Sequence, residues 1–198
     1  MTNPLSATFV AVLLATLGAG CSLREAPPRT YILSAAGVPT TTGPHEGPVV
    51  GVGPVALPAY LDRRSIVVHE ADGEVRLSSS HQWAEPLKDG VTRVVAENLA
   101  VMIPTDAALV YPWRSPRVVT YRVTLEIFRF DGTLGGPVVL NVRWRLLDED
   151  GNELALRTVT LDERPVDSTY AALVASHGHL LAAVSRDIAT AIRTHNAG

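Results

Sequence analysis

Apolar residues recur along this chain with two periods, and the switches between them divide it into elements. Over residues 119–127 the period is two: Val119, Tyr121, Val123, Leu125 and Ile127 alternate with Thr120, Arg122, Thr124 and Glu126. That alternation predicts a strand with one buried and one wet face. Phe128 and Phe130 shift the phase, which predicts a bulge. After a turn over 131–137, Leu140, Val142, Trp144 and Leu146 alternate against Asn141, Arg143 and Arg145, and Asp150-Gly151 turns the chain again into 153–161. Three strands joined this way predict an antiparallel meander. Residues 65–69 and 74–78 flank Asp72-Gly73, a hairpin signal. Residues 49–55 read as an apolar strand stopped by Pro54 and Pro58, and Tyr31-Ile32-Leu33 as a short one. The Gly-, Pro- and Thr-rich stretch 35–48 reads as a surface loop.

The helical period appears twice. Leu87, Val91, Val94, Val95, Leu99 and Met102 form one stripe and predict a helix from Trp83 to Ile103, with Pro86 in its first turn and Pro104 ending it. Tyr170, Leu173, Val174, His177, Leu181, Val184, Ile188 and Ile192 form a second stripe, predicting a helix over 169–194 capped by Asp167 or Ser168. Two such stripes need a sheet face to cover. The expected fold is a single α+β domain over 31–194: a mixed, mainly antiparallel sheet with two long helices on one face.

The N-terminus follows neither period. Residues 7–17 are an uncharged apolar run of 11 residues. That is short of the ~20 residues a spanning helix needs and matches the apolar region of a signal peptide. Gly18-Ala19-Gly20 then precede Cys21, the only cysteine of the chain. Small residues before a cysteine resemble the bacterial lipobox, in which the thiol is acylated, palmitate-fashion, and becomes the mature N-terminus. Gly18 stands where that pattern usually has Leu, and Leu17 is one residue further back. One cysteine cannot form an internal disulfide, and a free thiol is a liability in an oxidising compartment. Acylation therefore accounts for Cys21 better than a plain secreted protein does. The expectation is a signal peptide over 1–20 and a lipidated N-terminus with linker over 21–30, stiffened by Pro27-Pro28.

Net charge is −3 and no basic run exceeds Arg63-Arg64, so there is no basic face for nucleic acid. Candidate chemistry is thin. Gly51-Val52-Gly53-Pro54 lacks the third glycine and the helix of a dinucleotide loop. His177 and His179 are two apart on a predicted helix and point about 200° away from each other, so they cannot share a metal ion; His177 reads as a core residue and His179 as a surface one. Ser78, Ser79, Ser80 and His81 lack the GxSxG context of a nucleophile. No cofactor, metal or catalytic residue is expected. The aromatic and arginine residues near prolines are better candidates: Tyr60, Leu61 and Arg63 after Pro58, and Tyr111 and Trp113 around Pro112, are the candidate partner interface, because stiff segments lose less entropy on docking; the other reading of each is a loop residue folded back over the core.

GVGPVALPAYLDRRSIVV (51–68), HQWAEPLKDGVTRVVAENLAVMIP (81–104) and RFDGTLGG (129–136) resemble the PqiC-like ABC-type transport auxiliary lipoproteins, and the resemblance runs from Tyr31 to near Ile192. It implies a periplasm-facing lipoprotein on the outer membrane, in keeping with Ser22 rather than Asp after the cysteine. It also implies a non-catalytic auxiliary role beside an MCE-domain protein in intermembrane phospholipid transport, with a ring-matched homo-oligomer as a further implication. The reading from another class is a free-standing periplasmic enzyme or a lipoprotein regulator of one. That reading requires perturbed titratable groups gathered in a deep pocket.

Overall fold

The computed structural model describes residues 26–37, 47–103, 107–113 and 119–196. The expected signal peptide, Cys21 and the first part of the linker lie outside these residues. The elements in chain order are β1 (Arg29–Tyr31), β2 (Val49–Ala56), β3 (Ser65–His69), β4 (Val75–Trp83), α1 (Leu87–Met102), β5 (Ala107–Val110), β6 (Tyr121–Gly132), β7 (Val138–Leu147), β8 (Glu153–Glu163) and α2 (Tyr170–Asn196). No described helix is long and apolar enough to cross a membrane.

β6 is the hub of the sheet. β7 lies antiparallel along one of its edges, with β8 antiparallel beyond. Its other edge is shared: β2 runs parallel to its first half, and β3 meets it at Gly132. β5 pairs parallel with β2, β4 antiparallel with β3, and β1 parallel with β4. Four of the seven pairings are therefore parallel, and the expectation of a mainly antiparallel sheet is corrected to a mixed one. The reason lies in what a sequence can mark locally. Turn residues announce hairpins, whereas parallel partners meet through long crossovers that leave no short signal; β3, β4 and α1 all lie between β2 and β5.

Both helices cover one face. Leu87, Val91, Val94, Val95 and Leu99 of α1 are buried over β2 and β5, and Leu173, Leu181, Val184, Ile188 and Ile192 of α2 over β6, β7 and β8. The bulge at Phe128 is present: pairing steps from Ile127–Val142 to Arg129–Asn141. Several boundaries move. Trp83 ends β4, and α1 begins only at Leu87, with Pro86 in the N-cap position. Pro54 does not stop β2; it sits where the register with β6 shifts, and the strand continues to Ala56. The cap of α2 is Thr169, whose hydroxyl accepts a bond from the Ala172 amide at 3.1 Å, while Asp167 accepts from the Thr169 amide at 2.8 Å.

His177 is buried in the core, and its Nδ1 donates to the Leu173 carbonyl at 2.7 Å. Burial lowers its pKa below the ordinary imidazole value, against the opposing pull of the Leu173 and Phe130 carbonyls and Asp131. Above about pH 6.5 both folded and unfolded chains hold it neutral, and its contribution to stability is complete. Below that, the unfolded chain binds a proton that the native core refuses, so stability falls with pH. Urea unfolding at pH 7 and pH 5 is expected to show the wild type losing up to about 2 kcal/mol more than His177→Leu. Equal losses in the two proteins would contradict this.

Candidate functional site

The segment after β2 divides its residues between surface and core. The Tyr60 hydroxyl donates to Asp131 Oδ2 at 2.6 Å, and Arg129 Nε donates to Oδ1 of the same carboxylate at 2.9 Å. Asp131 is only 1% exposed. Burial and the Asp131 carboxylate push the Tyr60 hydroxyl well above its usual pKa. Leu61 is a core residue at 2% exposure. Arg63 stays outside, its Nη2 donating to the Ala59 carbonyl at 3.3 Å. Of the three, Arg63 alone has an exposed side chain, and its bond to Ala59 is local.

The second segment extends β5. The Tyr111 amide donates to the Val52 carbonyl at 2.9 Å, and the Tyr111 and Trp113 rings meet edge to face at 5.3 Å. Tyr111 is half exposed and Trp113 partly buried. A Cβ on Gly51 would stand 2.9 Å from the Trp113 ring and from Val119, so glycine is what lets the indole settle there. Gly51 pairs with Arg122, on the face the helices do not cover. The two segments do not form one patch: Asp131 and Arg122 are nine positions apart on β6, about 30 Å along the strand.

What the aromatic-and-proline reading missed is the sheet face that no described helix covers. Two adjoining concavities open on it, of about 260 and 310 Å³, both walled by Ala56 and Glu126. Arg143 lines the first of them, and Phe128 the second. The Arg143 guanidinium lies 5.2 Å from the Phe128 ring centroid, Nη1 donates to Glu126 Oε2 at 3.3 Å, and Nε donates to the Thr158 hydroxyl at 3.4 Å. Arg145 pairs loosely with Glu153 at 3.7 Å, and Arg122 donates to the Glu149 carbonyl at 2.8 Å. Phe128 and Leu156 are exposed on the same side. The signal was present in the alternation, whose polar phase holds Arg122, Glu126, Arg143 and Arg145.

The perturbed tyrosine and histidines fall at two places, one at His81 and one around Asp131. His81 lies on β4, stacked on Tyr170 at 3.8 Å and on Tyr31 at 5.7 Å, with the Ser78 and Ser80 hydroxyls 3.3 and 3.1 Å from its Nδ1. Burial, then Arg29, lowers its pKa. Tyr60 and His177 sit elsewhere, both near Asp131, with His177 in the core. His179 is on the surface, its Nδ1 2.6 Å from Glu163 Oε1. Among the described residues no three His, Cys, Asp or Glu side chains form a metal-holding group.

Residues 31–36, which follow the linker, are laced between the helices. Arg93 Nη2 donates to the Leu33 carbonyl at 2.9 Å and is held by Glu85 and Glu97. The Ala36 amide donates to Asn98 Oδ1 at 2.9 Å, and Asn98 Nδ2 to Ser185 Oγ at 3.4 Å. Beside this strap and α2 lies a larger hollow of about 420 Å³. Gly178 permits the close approach: a Cβ there would stand 2.9 Å from the Ser34 carbonyl oxygen. In a free helix Gly→Ala gains about 1 kcal/mol. Here the clash with backbone outweighs it, and Gly178→Ala is expected to cost about 1–2 kcal/mol net and to expose residues 31–36 to protease. A variant more stable than the wild type would show that the strap is not pinned.

A family model described as the ABC-type transport auxiliary lipoprotein component matches residues 31–189. Over 134 residues the chain is 27% identical to the Intermembrane transport lipoprotein PqiC of Escherichia coli (strain K12), covering 67% of this chain and 70% of that protein. Its fold is similar to that of a crystallised uncharacterized protein, with TM-score 0.70 and 21% identity over 84% of this chain and 99% of the other. It is similar also to protein XCC0632 from Xanthomonas campestris, with TM-score 0.63 and 20% identity over 81% and 92%. At these identities the two crystal structures speak to the fold alone.

Proposed function

Because the chain belongs to the family of ABC-type transport auxiliary lipoprotein components, we propose that it is the non-catalytic docking subunit of an MCE-type intermembrane phospholipid transport system, anchored in the outer membrane and facing the periplasm. Signal peptide 1–20 is removed, Cys21 is acylated, and residues 21–30 act as the spacer. The relative's name, an intermembrane transport lipoprotein, supports this reading.

The observation that carries the docking role is the uncovered sheet face. A domain that uses both helices on one side leaves Trp113, Phe128 and Leu156 beside Arg122, Arg143 and Arg145 on the other. Aromatic and arginine side chains are the residue types that dominate binding energy at interfaces. Tyr111 extends the candidate surface beside Trp113, while Arg63 belongs to the separate segment after β2. The enzyme reading finds less support: Tyr60 and His177 both feel the buried Asp131, but neither lines a hollow described above, and His81 sits apart from them on β4. A homo-oligomer matched to the ring of the MCE protein fits the same role.

The test is co-purification of the tagged domain with the MCE-domain protein. Capture by the wild type, reduced at least tenfold by Trp113→Ala together with Arg143→Ala in a protein that still melts cooperatively, is the expected result. No capture by the wild type would sink the docking role.

A further inference from the structure

The direction in which the chain reaches the domain fixes which end of the domain faces the membrane. β1 runs parallel to β4, with Arg29 opposite His81, and the His81 ring stacks on Tyr170, the first residue of α2. Five residues later Ser34 lies against Gly178, eight positions down that helix, and Ala36 bonds to Asn98. The strap therefore descends from the start of α2 toward its C-terminal end. The chain enters β1 at Arg29, at the end opposite to the one the strap leaves from.

The end at which it enters is built from three connections: the turn Ala71–Gly73, the β6–β7 turn over 133–136, and the β8–α2 connection over 164–169. Bonds join them into one surface. The Thr133 hydroxyl donates to the His69 carbonyl at 3.1 Å, and Arg164 Nη1 donates to the Gly135 carbonyl at 3.4 Å. Arg76 bridges Glu70 at 2.7 Å and the Tyr170 hydroxyl at 3.2 Å. At its apex Val166 is 95% exposed, the most exposed large apolar side chain described.

Length decides the rest. Arg29 is eight residue steps from Cys21, a reach of about 28 Å when fully extended. α2 has 27 residues and is about 40 Å long. Since Arg29 lies level with the first turn of α2, a tether held at Cys21 cannot place the Asn196 end on the bilayer. It can place the Val166 end there with slack. Arg164, two residues from Val166, suits lipid phosphates, and the neighbouring Asp167 carboxylate is occupied by the Thr169 amide and hydroxyl.

We infer that the end of the domain formed by residues 71–73, 133–136 and 164–169 faces the membrane that holds the anchor, and that Val166 touches its lipid surface. This rests on the anchored reading above. It leaves the turn over 148–152 and the C-terminal end of α2 directed away from the membrane.

The experiment places an NBD fluorophore through an azide-bearing residue at position 166 or, at the opposite end, at position 152, both in exposed turns. The full lipoprotein is reconstituted into phosphatidylethanolamine–phosphatidylglycerol vesicles carrying a headgroup nitroxide quencher. Flotation with the vesicles reads the anchor separately. Protein that does not float is coupled through its single thiol, Cys21, to a maleimide lipid, which restores the same tether and keeps orientation measurable. Quenching at position 166 is expected to exceed that at position 152 by at least threefold in either arm. Equal quenching, or stronger quenching at position 152, would overturn the inference.

Discussion

Trp144→Ala is expected to destabilise the domain by about 4 kcal/mol, the middle of the range for a fully buried Trp. Trp144 is 0% exposed and sits in β7 beneath α2. Its Nε1 donates to Asp187 Oδ2 at 3.1 Å, Arg157 Nη1 donates to the other carboxylate oxygen, and the Arg157 guanidinium lies 5.7 Å from the indole centroid. The ring thus fills the core and also pins α2 to β7 and β8 through one carboxylate. Trp144→Phe keeps a ring in the core but deletes the N–H and the rest of the indole, so about 2 kcal/mol should be lost, less than in the alanine variant. For a domain of this size the alanine variant should melt about 12 °C lower. A drop of under 3 °C would show that α2 is held by its stripe alone.

Cys21→Ala is expected to move the protein from the membrane fraction to the soluble periplasmic fraction almost completely. Multiple acyl chains anchor in effect permanently, whereas a single chain binds with an association constant of only about 10⁴ M⁻¹. No described helix supplies a second means of spanning the bilayer. The functional loss should exceed what lost binding at the bare face produces, because a tether of a few nanometres holds the domain at an effective concentration of order millimolar near its membrane. Immunoblots of sedimented membranes and osmotic-shock fluid measure it. Wild type and variant partitioning alike would remove the anchor from the account.

The elements with their own periodicity were legible in the sequence. Both helices, the β6–β7–β8 meander and the bulge at Phe128 follow from alternation and stripe, and the hairpin of β3 and β4 follows from Asp72-Gly73. β5 was not legible: four residues with no alternation become a strand only because β2 offers an open edge. Pro54 misled for the opposite reason, since the register shift between Val52 and Val55 accommodates it inside β2. Of the expected interface residues, Leu61 is spent on the core and Tyr60 on Asp131, facts set by residues some seventy positions away. Trp113 was visible as an aromatic beside a proline. Its place on the bare face depends on Gly51, which carries no side chain to announce the contact. The arginines of that face were in plain view as the polar phase of two strands, but alternation says only that a face is wet, and it is packing that puts both described helices on the other side.

The most direct test of the docking role is site-specific photo-crosslinking in cells. A photoreactive residue is placed at Thr158 or Thr124 on the uncovered sheet face, or at Ala175 or Arg186 on the exposed side of α2. Docking through the sheet face predicts adducts with the MCE-domain protein from Thr158 and Thr124 and none from the two helix positions. Adducts from Ala175 and Arg186, with none from the sheet, would contradict it.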